Sequence, residues 1–220
     1  MYSLYIANKN YSSWSLRPWV LMRTLEIPFQ EILREFSSTS NWEEFRKFSP
    51  NGMVPCLHHE KGEQDAEQVV WESLAIMEYL ADEHEGVWPE NRQARAWARS
   101  AAAEMHAGFT NLRTICPMNC GVRVRLHDIP TELQHDLNRL DELWCEGLQR
   151  FSGPFLAGDK FTAVDAFYAP VAFRVQTFAL PLSSESKSYI NRLLTLPAMQ
   201  EWQQAAIVEP WVEAEHERES

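Results

Sequence analysis

Ser49-Pro50-Asn51-Gly52-Met53-Val54-Pro55-Cys56-Leu57 is the stretch whose reading decides the fold. Pro-Asn-Gly signals a turn, and it runs straight into Val-Pro and the apolar start of a strand. A residue that precedes proline is pushed out of the helical region, so Val54 is expected to be extended. Pro55 has no N–H to give to a sheet, which places it at a strand's edge or first position. The N–H and C=O of Val54 are thereby left for another partner. A peptide-like ligand lying antiparallel to Val54 would use both groups. An ordinary loop-to-strand junction looks the same in sequence, so the flanking elements must choose between the two.

Upstream, Tyr2–Ala7 reads as a short strand of aromatic and branched residues. Asn8–Ser13 is a polar loop. A helix is expected from about Ser15 to Glu26, with Pro18 in its first turn and Trp19, Met22 and Leu25 sharing a face. Phe29–Phe36 reads as a second strand, and strand–helix–strand favours a parallel pair joined by a crossover. After a Ser/Thr-rich loop, Asn41 is placed to cap a short helix reaching about Phe48. Downstream, Val54–His58 is a third strand, Glu60–Glu63 a turn, and Gln68–Trp71 a fourth strand closing a hairpin. A helix from about Ser73 to His84 completes a strand–helix–strand, strand–strand–helix order, the thioredoxin-like arrangement.

The texture changes at Gly86–Pro89, and everything beyond reads as helix. One long helix is expected from about Asn91 to Ile115, interrupted near Cys116-Pro117. A second starts at Pro130-Thr131, with Leu133, Leu137, Leu140, Leu143, Trp144 and Leu148 on one stripe. Thr162-Ala163-Val164-Asp165 is a capping box, and this pair is read as a fold device rather than as catalytic. The nearly all-apolar helix behind it, Ala166 to about Phe178 with Pro170 inside, should be central. Helices over about Glu185–Leu194 and after Pro197 follow, and the Glu-rich end (Glu209, Glu213, Glu215, Glu217, Glu219) reads as a solvated tail. The division expected is residues 1–84 as an α+β unit and 90–220 as an all-helical one.

The balance of 20 basic against 31 acidic residues, a net charge of -11, argues against nucleic acid and anionic membranes as partners. Cys56, Cys116, Cys120 and Cys145 show neither a disulfide framework nor ligand pairs for zinc, so reduced thiols, a cytoplasmic location and no metal are expected. The first residues do not read as a signal peptide, and no stretch approaches the length of a membrane span.

Four signatures in this order and spacing resemble the cytosolic glutathione S-transferase family over essentially the whole chain. They are Tyr11-Ser12-Ser13-Trp14-Ser15-Leu16-Arg17, Pro50–Pro55, Glu72-Ser73-Leu74-Ala75-Ile76, and Phe155–Asp159 through Asp165. The resemblance implies a cis Val54–Pro55 bond, glutathione as co-substrate and a homodimer. It implies a glutathione site of Met53, Val54, Pro55, Glu72 and Ser73. Its serine-type classes place the catalytic serine five residues before a helix arginine, and Ser12 keeps that spacing to Arg17, with Ser13 the rival. Either serine could equally cap the helix. The Ser-Ser pair resembles the zeta class, which includes maleylacetoacetate isomerases, but Trp14 stands where that class has cysteine.

The chemistry these residues suggest is simple. Free N–H groups at the start of a helix, with the Ser73 hydroxyl, receive a carboxylate, and Glu72 receives an ammonium, together matching an α-amino acid headgroup. The alternative is that Ser73 only caps its helix. A hydroxyl donor at the positive end of the first helix lowers a thiol pKa and yields the nucleophilic thiolate. Tyr5 and Tyr11 are poorer donors, with Tyr5 placed as strand packing. Trp14, Met105, Phe109 and Arg113 are expected to line an electrophile pocket, core packing being the alternative for Met105 and Phe109. Arg113 and Arg174 offer charge for an acidic substrate. The histidines, His106 included, carry no evident direction. The expected activity is transfer of glutathione to small, largely apolar electrophiles. The alternatives are a glutathione-dependent isomerase or peroxidase, and a non-catalytic interaction protein of the same fold.

Overall fold

The computed structural model describes residues 1–36, 40–62, 66–213, 216 and 217. The expected loop around 37–39, the turn at Glu63, and Glu215 and Glu219 of the tail lie outside the described residues.

Strand β1 (Tyr2–Ile6) is one of the sheet's two inner strands, with Tyr2, Leu4 and Ile6 turned into the core at the strand period of two. It pairs in parallel with β2 (Phe29–Leu33), Tyr2 opposite Phe29, and antiparallel with β3 (Cys56–His59), Tyr5 opposite Cys56. Strand β4 (Gln68–Trp71) pairs antiparallel with β3, giving the order β2-β1-β3-β4. Helix α1 (Ser13–Thr24) makes the crossover, and α3 (Ser73–Ala81) follows β4. This is the expected thioredoxin-like α+β arrangement (βαβ–ββα) followed by an all-α helical bundle.

Several boundaries move for identifiable reasons. Helix α1 begins two residues before the expected start, with Ser12 as N-cap, so Pro18 lies in the second turn instead of the first. Strand β2 stops at Leu33 because its partner stops at Ile6. Arg34 N–H still reaches the Ile6 carbonyl at 2.8 Å, but Phe36 N–H turns to Asn8 Oδ1 at 2.7 Å. The short helix α2 covers only Trp42–Phe45, and the Asn41 side chain does not cap it. Val54 and Pro55 precede β3 rather than open it. Helix α3 ends at Ala81, short of His84.

The long helix expected over 91–115 is two. Helix α4 (Arg92–Ala107) is capped by Asn91 Oδ1, which accepts from the N–H groups of Gln93 and Ala94. Gly108 then turns extended, and Phe109 takes the left-handed conformation (φ 54°) before α5 (Thr110–Ile115). A β-carbon on Gly108 would stand 2.8 Å from the Glu104 carbonyl oxygen, so the helix breaks where only glycine fits. The break is invisible to periodicity because Met105, Phe109 and Arg113 keep a four-residue spacing across it.

Helix α6 (Thr131–Phe151) lays its leucine stripe and Trp144 into the core. Helix α7 (Ala163–Phe178) is buried along almost its whole length and packs on α1, α4 and α8 (Ser184–Leu194). Its capping box forms: Asp165 accepts from Thr162 N–H at 3.0 Å, and also from Leu156 N–H at 3.0 Å and Tyr189 O–H at 2.9 Å. Burial nevertheless pushes the Asp165 carboxyl up to about 6. Helix α9 (Pro197–Ala206) packs against α1 through Trp202, whose ring meets Trp19 at 5.0 Å.

The expected solvated tail is in part a strap. The Glu209 carboxylate accepts from the N–H groups of Lys9 and Asn10, and the Tyr11 hydroxyl donates to Glu217 at 2.6 Å. The loop that leads into α1 is therefore held by the far end of the chain.

Candidate functional site

Two neighbouring cavities sit between the sheet-bearing part and the helical part. The larger, about 630 Å³, is lined among others by Ser12, Ser13, Trp14, Met53, Val54 and Arg113. The smaller, about 310 Å³, is lined by Trp14, Asn51, Met53, Val54, Pro55, Glu72 and His106. Trp14, Met53 and Val54 form a wall common to both.

The local geometry at Val54 follows from Pro55. The Val54–Pro55 bond is cis, and β3 takes up its ladder only at Cys56. Neither the N–H nor the C=O of Val54 makes a hydrogen bond among the described residues. Gly52 permits the turn before it: its φ is +64°, and a β-carbon there would meet the Trp42 ring at 2.5 Å.

Ser73 is the first residue of α3 rather than its cap. Glu72 is the N-cap, held at a positive φ of 70°, and no side chain caps the helix. The first N–H groups of α3 therefore remain available. The buried Ser73 hydroxyl accepts from Arg17 Nη1 at 3.3 Å, which leaves its own hydrogen to donate. Glu72 is exposed; it accepts from Asn51 Nδ2 at 3.3 Å, and His106 Nε2 lies 3.9 Å from its carboxylate.

Arg17 is the residue on which this side of the site is built. It comes from α1, is 2% exposed, and lies with its guanidinium 4.1 Å from the Trp14 ring and 4.6 Å from the Phe167 ring. Its Nε is buried without a partner among the described residues. Burial, and then the charges of Arg113 and Arg174, lower its pKa to about 9, so it stays a cation at neutral pH.

Ser12 is 5% exposed and its hydroxyl donates to Ser15 Oγ at 2.7 Å, and Ser15 Oγ also accepts from Ala7 N–H at 3.3 Å. Ser15 Oγ has two acceptor sites, and rotation of both hydroxyls would reverse its bond with Ser12, with Ser15 donating to Ser12. The Ser12 hydrogen can then turn into the cavity. A hydroxyl pair can reverse in this way by rotation alone. Ser13 is engaged differently: its Oγ accepts from Arg174 Nη2 at 3.2 Å. Tyr11 donates to Glu217, and burial and that carboxylate raise its pKa, so it is a poor proton donor to a thiolate. Tyr5 stacks on Phe48 at 4.4 Å, as strand packing requires.

The structure thus gathers Ser12, Ser13, Trp14, Met53, Val54 and Arg113 on one cavity, and Met53, Val54, Pro55 and Glu72 on the adjoining one. Ser73 lines neither and lies behind, against Arg17. Met105 and Phe109 are corrected: both are buried in the core cluster and absent from either wall, Met105 because it continues the buried stripe of Ala94, Ala98, Ala101 and Ala102 on α4, and Phe109 because it follows the break at Gly108. Sequence reasoning missed Ser15 and His106. Ser15 carried a signal in its three-residue offset from Ser12. His106 carried none, since its place depends on how α4 crosses the sheet-bearing part; its ring now stands edge-on to Trp14 at 5.3 Å. Cys56 is no nucleophile: its thiol donates to the Phe48 carbonyl, and burial pushes its pKa up to about 11.

The glutathione S-transferase N-terminal domain family matches residues 11–83. Glutathione S-transferase GstB of Escherichia coli strain K12 is 28% identical over 181 residues, covering 76% of this chain and 80% of GstB. Residues 11–83 thus match the N-terminal domain of glutathione transferases, and the fold is that of a thioredoxin-like domain followed by a helical one. A probable maleylacetoacetate isomerase of Vibrio cholerae is 25% identical over 163 residues, covering 70% of this chain and 73% of that protein. A crystal structure of a glutathione transferase homologue from Burkholderia, with bound glutathione, superposes with a TM-score of 0.65 at 20% identity, over 94% of this chain and 99% of that one. Among the described residues, no helix of this chain is long and apolar enough to cross a membrane.

Proposed function

We propose that the protein is a glutathione transferase that binds glutathione along Val54, Glu72 and Ser73 and holds its sulfur as a thiolate with the Ser12 hydroxyl. The observation that carries this reading is the unpaired Val54 backbone beside Ser12 and an uncapped α3 N-terminus. Val54 would pair with the cysteinyl backbone as an added strand does. The N–H groups at Ser73, with its Arg17-oriented hydroxyl, would take the γ-glutamyl carboxylate, and Glu72 its ammonium. Met53 and Pro55 would form the wall that sets the peptide's path.

The sulfur then falls to Ser12 at the positive end of α1. The chain's part in the reaction is to bind and orient the peptide, to favour the sulfur anion, and to place the electrophile in the adjoining cavity. Residues 1–84 would be the glutathione-binding domain and 90–220 the domain completing the electrophile pocket. A cytoplasmic homodimer is the assembly proposed.

The test is calorimetric binding of glutathione and of cysteinylglycine, which lacks the γ-glutamyl group, together with conjugation of 1-chloro-2,4-dinitrobenzene. Glutathione should bind at least about tenfold more tightly than cysteinylglycine, a difference of about 1.4 kcal/mol, and conjugation should saturate with it. Absence of glutathione binding would remove the reading and leave a fold used for interaction.

A further inference from the structure

We infer that the larger cavity takes an electrophile whose apolar body carries a carboxylate, received by Arg113 and Arg174. The inference builds on the transferase reading, since it names the electrophile class of that same site. Both guanidiniums line the cavity, and no aspartate or glutamate does among the described residues. That is unexpected in a chain with a net charge of -11, in which acidic residues outnumber basic ones.

The donors of these two side chains are only partly committed. Arg174 is 5% exposed; it gives Nη1 to the carbonyls of Arg113 and Cys116, and Nη2 to Ser13 Oγ. Its Nε–H and its second Nη2 hydrogen have no partner among the described residues. Arg113 gives Nη1 to the carbonyls of Met105 and His106. Its Nε–H and both Nη2 hydrogens stay open among the described residues, and these form one edge of the planar fork that receives a carboxylate through two parallel bonds.

All of these partners are neutral. No carboxylate lies within ion-pair distance of Arg17, Arg113 or Arg174 among the described residues. Asp136, the acid whose charge acts most on Arg113, instead accepts from Leu112 N–H at 2.9 Å. Burial lowers the pKa of all three arginines, and each of Arg17 and Arg174 is lowered further by Arg113. Arg113 and Arg174, on the cavity wall with no carboxylate at ion-pair distance among the described residues, form a site completed by an anion. The rest of the wall includes the aromatic rings of Trp14, Phe36 and Phe45, so the ligand's remaining body is apolar. The Arg174–Ser13 bond places this charge one residue from Ser12, so a carboxylate held here lies beside the sulfur position.

The test is calorimetric binding of cinnamate and its neutral isostere cinnamamide to the full chain, which needs no turnover. The acid should bind at least about tenfold more tightly than the amide. That ratio should fall toward one in both Arg113→Gln and Arg174→Gln. Arg113 is the less buried of the two, so Arg113→Gln carries the comparison should Arg174→Gln fail to fold. Equal binding of acid and amide by the wild type, or an acid preference that survives in Arg113→Gln, overturns the inference. Because the readout does not involve glutathione, its failure is distinct from a failure to bind glutathione.

Discussion

Replacing Ser12 by alanine removes one hydroxyl and, on the reading proposed, one hydrogen bond to a sulfur anion. A free cysteine-type thiol titrates near 8.5. A hydrogen bond to a charged group contributes about 1.5–3 kcal/mol, and each pKa unit corresponds to about 1.4 kcal/mol, so Ser12 alone accounts for about one to two units. The uncapped first turn of α1 adds about 0.3–1 kcal/mol, which the substitution leaves in place. The thiolate of bound glutathione, followed by its ultraviolet absorbance, should therefore appear near pH 6–7 in the wild type. In Ser12→Ala it should rise by about one to two units, with glutathione affinity at low pH little changed. Ser13→Ala should shift it by less than about half a unit, because the Ser13 oxygen is already bound to Arg174. An unchanged titration in Ser12→Ala would refute the assignment, and a large shift in Ser13→Ala alone would move the donor one residue along.

Other outcomes follow from the same geometry. Ser15→Ala leaves Ala7 N–H buried without its acceptor and should cost about 1–3 kcal/mol in urea unfolding, with a smaller thiolate shift than Ser12→Ala. Glu72→Gln should raise the KM for glutathione about tenfold with kcat nearly unchanged, since it removes binding made equally in ground and transition states; a fall in kcat alone would contradict its ammonium-receiving role. Asp165→Ala strands two backbone N–H groups and the Tyr189 hydroxyl and should cost about 3–5 kcal/mol. The Asp165 carboxyl titrates at about 6 in the fold against about 3.9 when unfolded, so the fold holds its proton more tightly. Its contribution is largest below about pH 4 and declines as pH rises through 6; the wild-type advantage over Asp165→Ala should shrink from pH 4.5 to pH 7, and a growing advantage would reverse that sign. Gly153→Ala should prevent stable folding, because the new β-carbon would stand 1.8 Å from the Gly158 carbonyl oxygen.

The parts of this molecule legible in its sequence are those fixed by local chemistry. Pro55 has no N–H to give to a ladder wherever the chain goes, so the late start of β3 is readable from the order of residues, and the flanking elements then suggest that the Val54 backbone is left for another partner. Thr162 and Asp165 lie three residues apart and satisfy each other within one turn. The parts not legible depend on distant segments. Nothing near Phe109 tells that Gly108 breaks the helix before it, since Met105, Phe109 and Arg113 still look like one helical face. Glu209 and Glu217 look like solvent-facing acids until the chain brings them to the N–H groups of Lys9 and Asn10 and to the Tyr11 hydroxyl.

Arg17 joins the two halves of the proposed chemistry. A buried guanidinium without a carboxylate is costly, and two aromatic faces and one serine oxygen offset that cost only in part. An acidic partner would stabilise the fold better but would cancel the charge. With the charge kept, Ser73 becomes a hydroxyl polarised by a cation and aimed at an anion. On the proposed reading the same field, reinforced by Arg113 and Arg174 on the cavity that Ser12 lines, would favour a sulfur anion over a thiol there. Arg17→Met would keep the packing between Trp14 and Phe167 and remove only the charge. Both the affinity for glutathione and the acidity of its thiol should then fall together, whereas Ser12→Ala separates them. If Arg17→Met lowers affinity and leaves the thiol pKa where it was, the arginine serves the carboxylate alone and the field reaching Ser12 comes from the helix end.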